Sequence, residues 1–206
     1  VDAAVERPSQ AHSLPDPILT GVFRNVSFND ITLGENVTVN SGDVGVTSVS
    51  GTVTTNNLTA TTGSLNLRTA GQINLGGSTS SGGTATITST GASVVASGPI
   101  SSGGELGISA ASTLDVNQID VASGDANIVA GGNLKFNLDV NVTGGAFNAF
   151  SNTGEFEQAP NTLISAGTDI VISTQGGMKI ASLRGENNVT LAIRQTEPGP
   201  DGEVPL

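Results

Sequence analysis

The sequence has no cysteine, no tryptophan and no tyrosine, and it holds one methionine and one histidine, His12. Without cysteine there are no disulfides and no thiolate metal sites. Without Trp or Tyr, few rings are left to stack on a sugar. Basic residues are also scarce. Arg7, Arg24, Arg68, Lys135, Lys179, Arg184 and Arg194 are scattered singly, and the formal net charge is −11. Phosphate backbones and anionic lipid surfaces call for clustered Lys and Arg, so neither nucleic acid nor such a membrane surface is expected as a partner. No apolar run reaches the ~18 residues of a spanning helix, so no membrane insertion is expected. The first residues lack a basic region followed by an apolar run, so export would rely on a signal outside this sequence. The one histidine sits in a proline-rich stretch, which leaves no basis for a His-dependent catalytic triad.

What the chain does have is glycine and aliphatic residues. It carries 28 Gly, and its hydrophobic fraction is 36% while charged residues make up only 12%. A disordered chain would lack the Val, Ile and Leu found here, so this chain folds and covers its surface with Ser, Thr, Asn and Gly.

These residues recur in a pattern. A glycine is followed by alternating apolar positions: Gly42 by Val44 and Val46, Gly63 by Leu65 and Leu67, Gly83 by Ala85 and Ile87, Gly104 by Leu106 and Ile108. Gly124 follows with Ala126 and Ile128, Gly145 with Phe147 and Ala149, Gly167 with Ile170 and Ile172, and a last copy has Val189, Leu191 and Ile193. About ten residues later comes a second pair, such as Ile73 and Leu75 or Leu134 and Phe136, and then a third apolar position, such as Leu58, Ile100, Ile119, Val140 or Leu183. Alternation of period two means strands with one face in and one face out. Three short strands in roughly 21 residues cannot bury an apolar face alone; parallel stacking at ~4.8 Å gives each inward side chain partners above and below. The expected fold is therefore all-β: a parallel β-helix (β-solenoid) of about eight coils, roughly 40 Å long, right-handed by the general rule for parallel connections. Leu75, Val95, Val116, Phe136 and Ile180 are expected to form one internal column. A β-sandwich, the main alternative, needs no glycine-anchored repeat of one length.

The ends differ from the middle. Residues 1–20, with Leu14-Pro15-Asp16-Pro17, break any strand and are expected to form a linker or arm. Residues 21–195 make up the β-helix, with 21–41 as an irregular first coil or cap. Residues 196–206 are expected to be a second linker. The least regular coil spans 145–166, where Phe147, Phe150 and Phe156 accompany Pro160. A loop is expected to protrude there, and these three phenylalanines are the candidate partner contacts, set against a plain role in the core.

The stretches Gly63-Ser-Leu-Asn-Leu-Arg-Thr-Ala-Gly-Gln-Ile-Asn-Leu, Gly124-Asp-Ala-Asn-Ile-Val-Ala-Gly-Gly-Asn-Leu-Lys-Phe and Gly167-Thr-Asp-Ile-Val-Ile-Ser-Thr-Gln-Gly-Gly-Met-Lys-Ile resemble the repeats of filamentous haemagglutinin-type proteins. The resemblance covers about residues 34–194. It implies the shaft of a bacterial exoprotein or adhesin, exported by two-partner secretion, secreted or held at a Gram-negative cell surface, and used in adhesion or biofilm contact. The Asn-Pro-Asn-Leu-type motifs of that family's export domain are absent, and the shaft has no functional residues at fixed positions to carry over.

The chemistry of sites adds little. Asp115, Asp120 and Asp139, or Asp125 beside Glu105, could in principle cleave a polysaccharide as paired carboxylates. The competing reading, turn acids capping strand ends, fits the repeat better. The Gly-Gly-x-Gly-x-Asp pattern of calcium-binding rolls is missing. Thr59-Ala-Thr61 and Thr84-Ala-Thr86 do not recur at one coil position, so no flat ice-binding rank forms. Asn-x-Ser/Thr sequons at Asn25, Asn36, Asn57, Asn141 and Asn188 are no more frequent than this composition produces by chance. The expectation is a non-enzymatic structural or adhesive module without cofactor. Its expected partners are glycans, cell-surface or matrix proteins, or other copies of itself end to end. A self-assembling fibre subunit and a carbohydrate-active β-helix using paired carboxylates are the alternatives.

Overall fold

The computed structural model describes residues 30–194. Every strand pairing in it is parallel, and among the described residues there is no helix. The chain winds as a β-solenoid with three strand-bearing faces per coil. The first face holds eight stacked strands, from Val44–Thr47 through Leu65–Thr69, Ala85–Ser89 and Leu106–Ala110 to Val189–Ile193. The second face runs from Ile31–Leu33 to Met178–Lys179, and the third from Val37–Val39 to Leu183–Gly185. In two coils a single longer strand, Val94–Ser102 or Leu114–Val121, rounds the corner between the second and third faces.

Stacking follows from alternation. Leu65 pairs with Val44 and Ala85, Leu106 with Ala85 and Ala126, and Phe147 with Ala126 and Ile170, so apolar side chains form inward columns along the rod. Column neighbours complement one another in size. Phe147 lies between Ala126 and Ile170, and its ring meets Phe136 edge-on at 5.6 Å, while Phe136 meets Phe156 at 5.7 Å. These three rings, all buried, fill the middle of two adjacent coils.

The corners explain the glycine. A Cβ on Gly63 would lie 1.9 Å from the Gly42 carbonyl oxygen, and one on Gly131 1.9 Å from that of Ala111. Parallel coils bring one turn directly onto the next, and only a residue without a side chain allows that approach. Buried hydroxyls tie other corners. Ser89 Oγ donates to Gly71 O at 2.7 Å and accepts from Ala92 N at 3.1 Å; Ser151 repeats this with Gly132 O and Gly154 N. Each hydroxyl thus satisfies a backbone group of its own turn and one of the coil before.

Three expectations need correction. The internal column through Leu75 contains Ala96, not Val95: Val94 pairs with Ile73 and Ala96 with Leu75, which turns Val95 to the outer surface. A slip of one residue exchanges inside for outside. The same column continues through Val116 and Phe136 to Gln158, so an amide stands where an aliphatic run was expected. Gln158 is buried with its hydrogen bonds made: Nε2 donates to Thr162 O and Ser182 O, and Oε1 accepts from Ala181 N. Finally, no loop protrudes between 145 and 166. The irregularity is a wider corner at 159–163, between Phe156–Gln158 and Ile164–Ala166, where Asn161 takes a positive φ of 63°. Thr162, buried there, donates to Ala159 O. Within residues 30–41, Ile31–Leu33 and Val37–Val39 stack in register on the next coil. The rest of the expected cap, the 1–20 arm and the 196–206 linker lie outside the described residues.

Candidate binding surface

Of the three candidate contact residues, the fold separates one from two. Phe147 and Phe156 begin their strands facing inward and are buried. They cannot touch a partner while the coil is folded. Phe150 is three residues beyond Phe147, so it faces outward on the first face and is half-buried.

Phe150 pairs in register with Val129 on one side and Ser173 on the other. Two residues before it on the same strand, Asn148 also faces outward, in register with Asn127. The two amides are linked: Asn148 Nδ2 donates to Asn127 Oδ1 at 3.0 Å, and Asn127 Nδ2 donates to Glu105 Oε1 at 2.8 Å. The chain of bonds therefore runs in one direction, from Asn148 to a carboxylate, and leaves Asn148 Oδ1 as an acceptor facing solvent. On the far side Arg194 reaches back across two coils, with Nη2 on Ser151 O at 3.2 Å. From Thr86 to Ala192 no outward position of this face is charged.

The second face is different. Its outward column reads Asp115, Lys135, Glu157, Lys179 in direct register, an alternation of charge. Lys179 Nζ lies 4.0 Å from both Glu155 and Glu157.

The third face presents one outward residue per coil, among them Ser101, Asp120, Asn141, Ser165 and Arg184. Two open depressions adjoin it. One, of about 350 Å³, is lined by Ser101, Asp120, Asn141 and Thr143 among others; the next, of about 190 Å³, by Asn141, Ser165, Arg184 and Glu186.

Several aspartates are engaged by the backbone. Asp43 accepts from Ser64 N, Asp125 from Ala146 N, Asp139 from Leu163 N and Asp169 from Asn188 N, each at 2.8 to 3.0 Å and each one coil on. Asp120 accepts from Gln118 Nε2, Asp115 from Asn137 Nδ2 and Glu105 from Asn127 Nδ2. Among the described residues no three His, Asp or Glu side chains are grouped to hold a metal. No helix of the described residues is long and apolar enough to cross a membrane.

The Asn127–Asn148 pair was not singled out from the sequence. A signal was present, because both residues lie between inward positions already assigned and one coil length apart. The depressions had no such signal, since they depend on how adjacent turns splay.

Comparison of this chain with protein-family models, with curated proteins and with solved structures found no match.

Proposed function

We propose that this chain is a non-enzymatic structural and adhesive module of a secreted or surface-displayed bacterial protein, similar to the shafts of filamentous haemagglutinin-type exoproteins exported by two-partner secretion. The observation that carries the reading is the use of the acids. Of the carboxylates that could pair for catalysis, Asp125 and Asp139 accept from the next coil's backbone, and Asp115, Asp120 and Glu105 accept from side-chain amides, so all five are engaged in holding the rod. The chain's polar groups go into building a long, repetitive rod with broad polar faces, which suits spacing and display. Binding to glycan and matrix-protein arrays, with and without calcium, tests this. Selective retention of the purified chain is the expected result. Release of reducing ends from a polysaccharide panel would overturn it in favour of a carbohydrate-active enzyme.

A second reading, a subunit that assembles end to end, is favoured by one observation. In the last described coil, Val189, Leu191 and Ile193 are 47%, 48% and 56% exposed, although they continue columns that are buried in the coils before. Among the described residues no strand pairs beyond Val189–Ile193, and exposed apolar side chains on such a strand are a template for another coil. Sedimentation velocity over a concentration series decides it: growth of large species that Leu191→Lys abolishes supports assembly, and a strict monomer at high concentration rejects it.

A further inference from the structure

From the first face we infer a saccharide site centred on Phe150, with Asn148 and Asn127 as its polar contacts and an uncharged sugar chain as its ligand. This rests on the adhesive reading above and names what that surface would hold. Three observations converge. Phe150 is the only aromatic side chain among the described residues that faces outward; Phe136, Phe147 and Phe156 are buried. A ring held on a rigid strand offers the flat apolar surface against which the C–H face of a pyranose packs. Beside it, the linked amides of Asn148 and Asn127 hold a fixed pattern of one free acceptor, Asn148 Oδ1, and an unused N–H on each amide. That donor and acceptor pairing is what vicinal hydroxyls require. The surroundings select against charge. In a chain of net charge −11, no outward strand position of this face is charged from Thr86 to Ala192, and the two charges that border it, Glu105 on Asn127 and the Arg194 guanidinium on Ser151 O, are already hydrogen-bonded, so a ligand gains no free counter-ion at its centre.

The spacing fits a chain better than a single ring. Coils rise by ~4.8 Å, close to the length of one pyranose in an extended glycan, so successive sugars would meet successive coils along Asn127, Asn148 and Val171. The small apolar area, one ring with Val129 beside it in register and Val171 beside Asn148, is too little for the core of a stable protein interface, which takes ~800 Å² per partner. It is enough for a few stacked sugars.

The test is calorimetric titration of the whole chain with neutral hexasaccharides chosen from a glycan array, beside a uronate-containing set. Neutral chains are expected to bind, with Phe150→Ala weakening them about tenfold and Asn148→Ala several-fold. Thr54→Ala, on the outer side of the second face, is expected to leave binding unchanged. Far-ultraviolet dichroism and thermal melts verify that each variant is folded. Binding that Phe150→Ala and Asn148→Ala both leave intact, a preference for uronates, or no saccharide binding at all would overturn the site. Adhesion of the same variants to matrix-protein arrays separates the two readings. A wild-type chain that adheres but binds no saccharide removes this site alone, and a wild-type chain that adheres to nothing removes the adhesive reading as well.

Discussion

Thr79 occupies an inward position whose column neighbours, Leu58 and Ile100, are aliphatic. Its hydroxyl is buried and has no hydrogen-bond partner, and the same holds for Thr55. A lone buried hydroxyl forfeits its bonds to water for nothing in return. Thr79→Val keeps the shape and is expected to stabilise the fold by about 1 kcal/mol in urea unfolding. Ser81, two residues along the same strand, makes the contrast: its hydroxyl lies 2.9 Å from both Gly63 O and Thr84 O, so Ser81→Ala is expected to shift the midpoint the other way. Polarity at an inward position therefore has no fixed sign; the partner decides. That distinction was invisible in the sequence, because Thr79 and Ser81 look alike there, and Ser81 owes part of its bonding to Gly63 O in the coil before.

At the scale of the strand, registry is what must be specified, since a parallel ladder can slip. Inward alternation forbids a slip of one residue but says little about which coil a segment joins. The outward column of Asp115, Lys135, Glu157 and Lys179 adds a charge alternation to that choice. Lys135→Glu would place three acidic side chains in consecutive coils. The expected loss is about 1–2 kcal/mol at low salt, shrinking markedly at high salt. A loss that does not respond to salt would assign Lys135 a packing role instead. The alternation that located most inward positions was legible because each coil repeats it. The phase of the second-face strand at Ser93-Val94-Val95-Ala96 was not. Two adjacent valines fit either phase, and the ladder to Ile73–Leu75 chose Val94 and Ala96.

For the whole molecule, stability is close to a sum over coils and their interfaces, and an end coil has one interface instead of two. The last described coil also leaves Val189, Leu191 and Ile193 exposed. Beyond the ladder to Ile170–Thr174, Arg194 fastens it through its backbone N on Thr174 O and its guanidinium on Ser151 O. Hydrogen exchange is expected to be fastest at Val189–Ile193 and slowest around Phe136, Phe147 and Phe156, with Arg194→Ala accelerating exchange in the last coil alone. Uniform protection along the rod would mean that the chain unfolds as one unit and that its open end is no weak point.

The sequence by itself determined the coil length, the three strands per coil, the parallel stacking and most inward positions. Each of these is a local pattern of period two, punctuated by glycine and repeated until chance is excluded. It placed Asp125 and Asp139 as caps, because an Asp at a turn has a backbone amide near it in any coil, whereas Asp115 and Asp120 stand within a strand and bond side-chain amides instead. Tertiary structure alone decided which neighbours meet across coils. It buried Phe147 and Phe156 while leaving Phe150 outside, put Gln158 in an apolar column, and joined Asn127 to Asn148. The physical reason is that the contacts that give this rod its cohesion, and surround the outward ring of Phe150, lie about 21 residues apart in the chain but only ~4.8 Å apart in space. A shift of one residue at a corner changes them all.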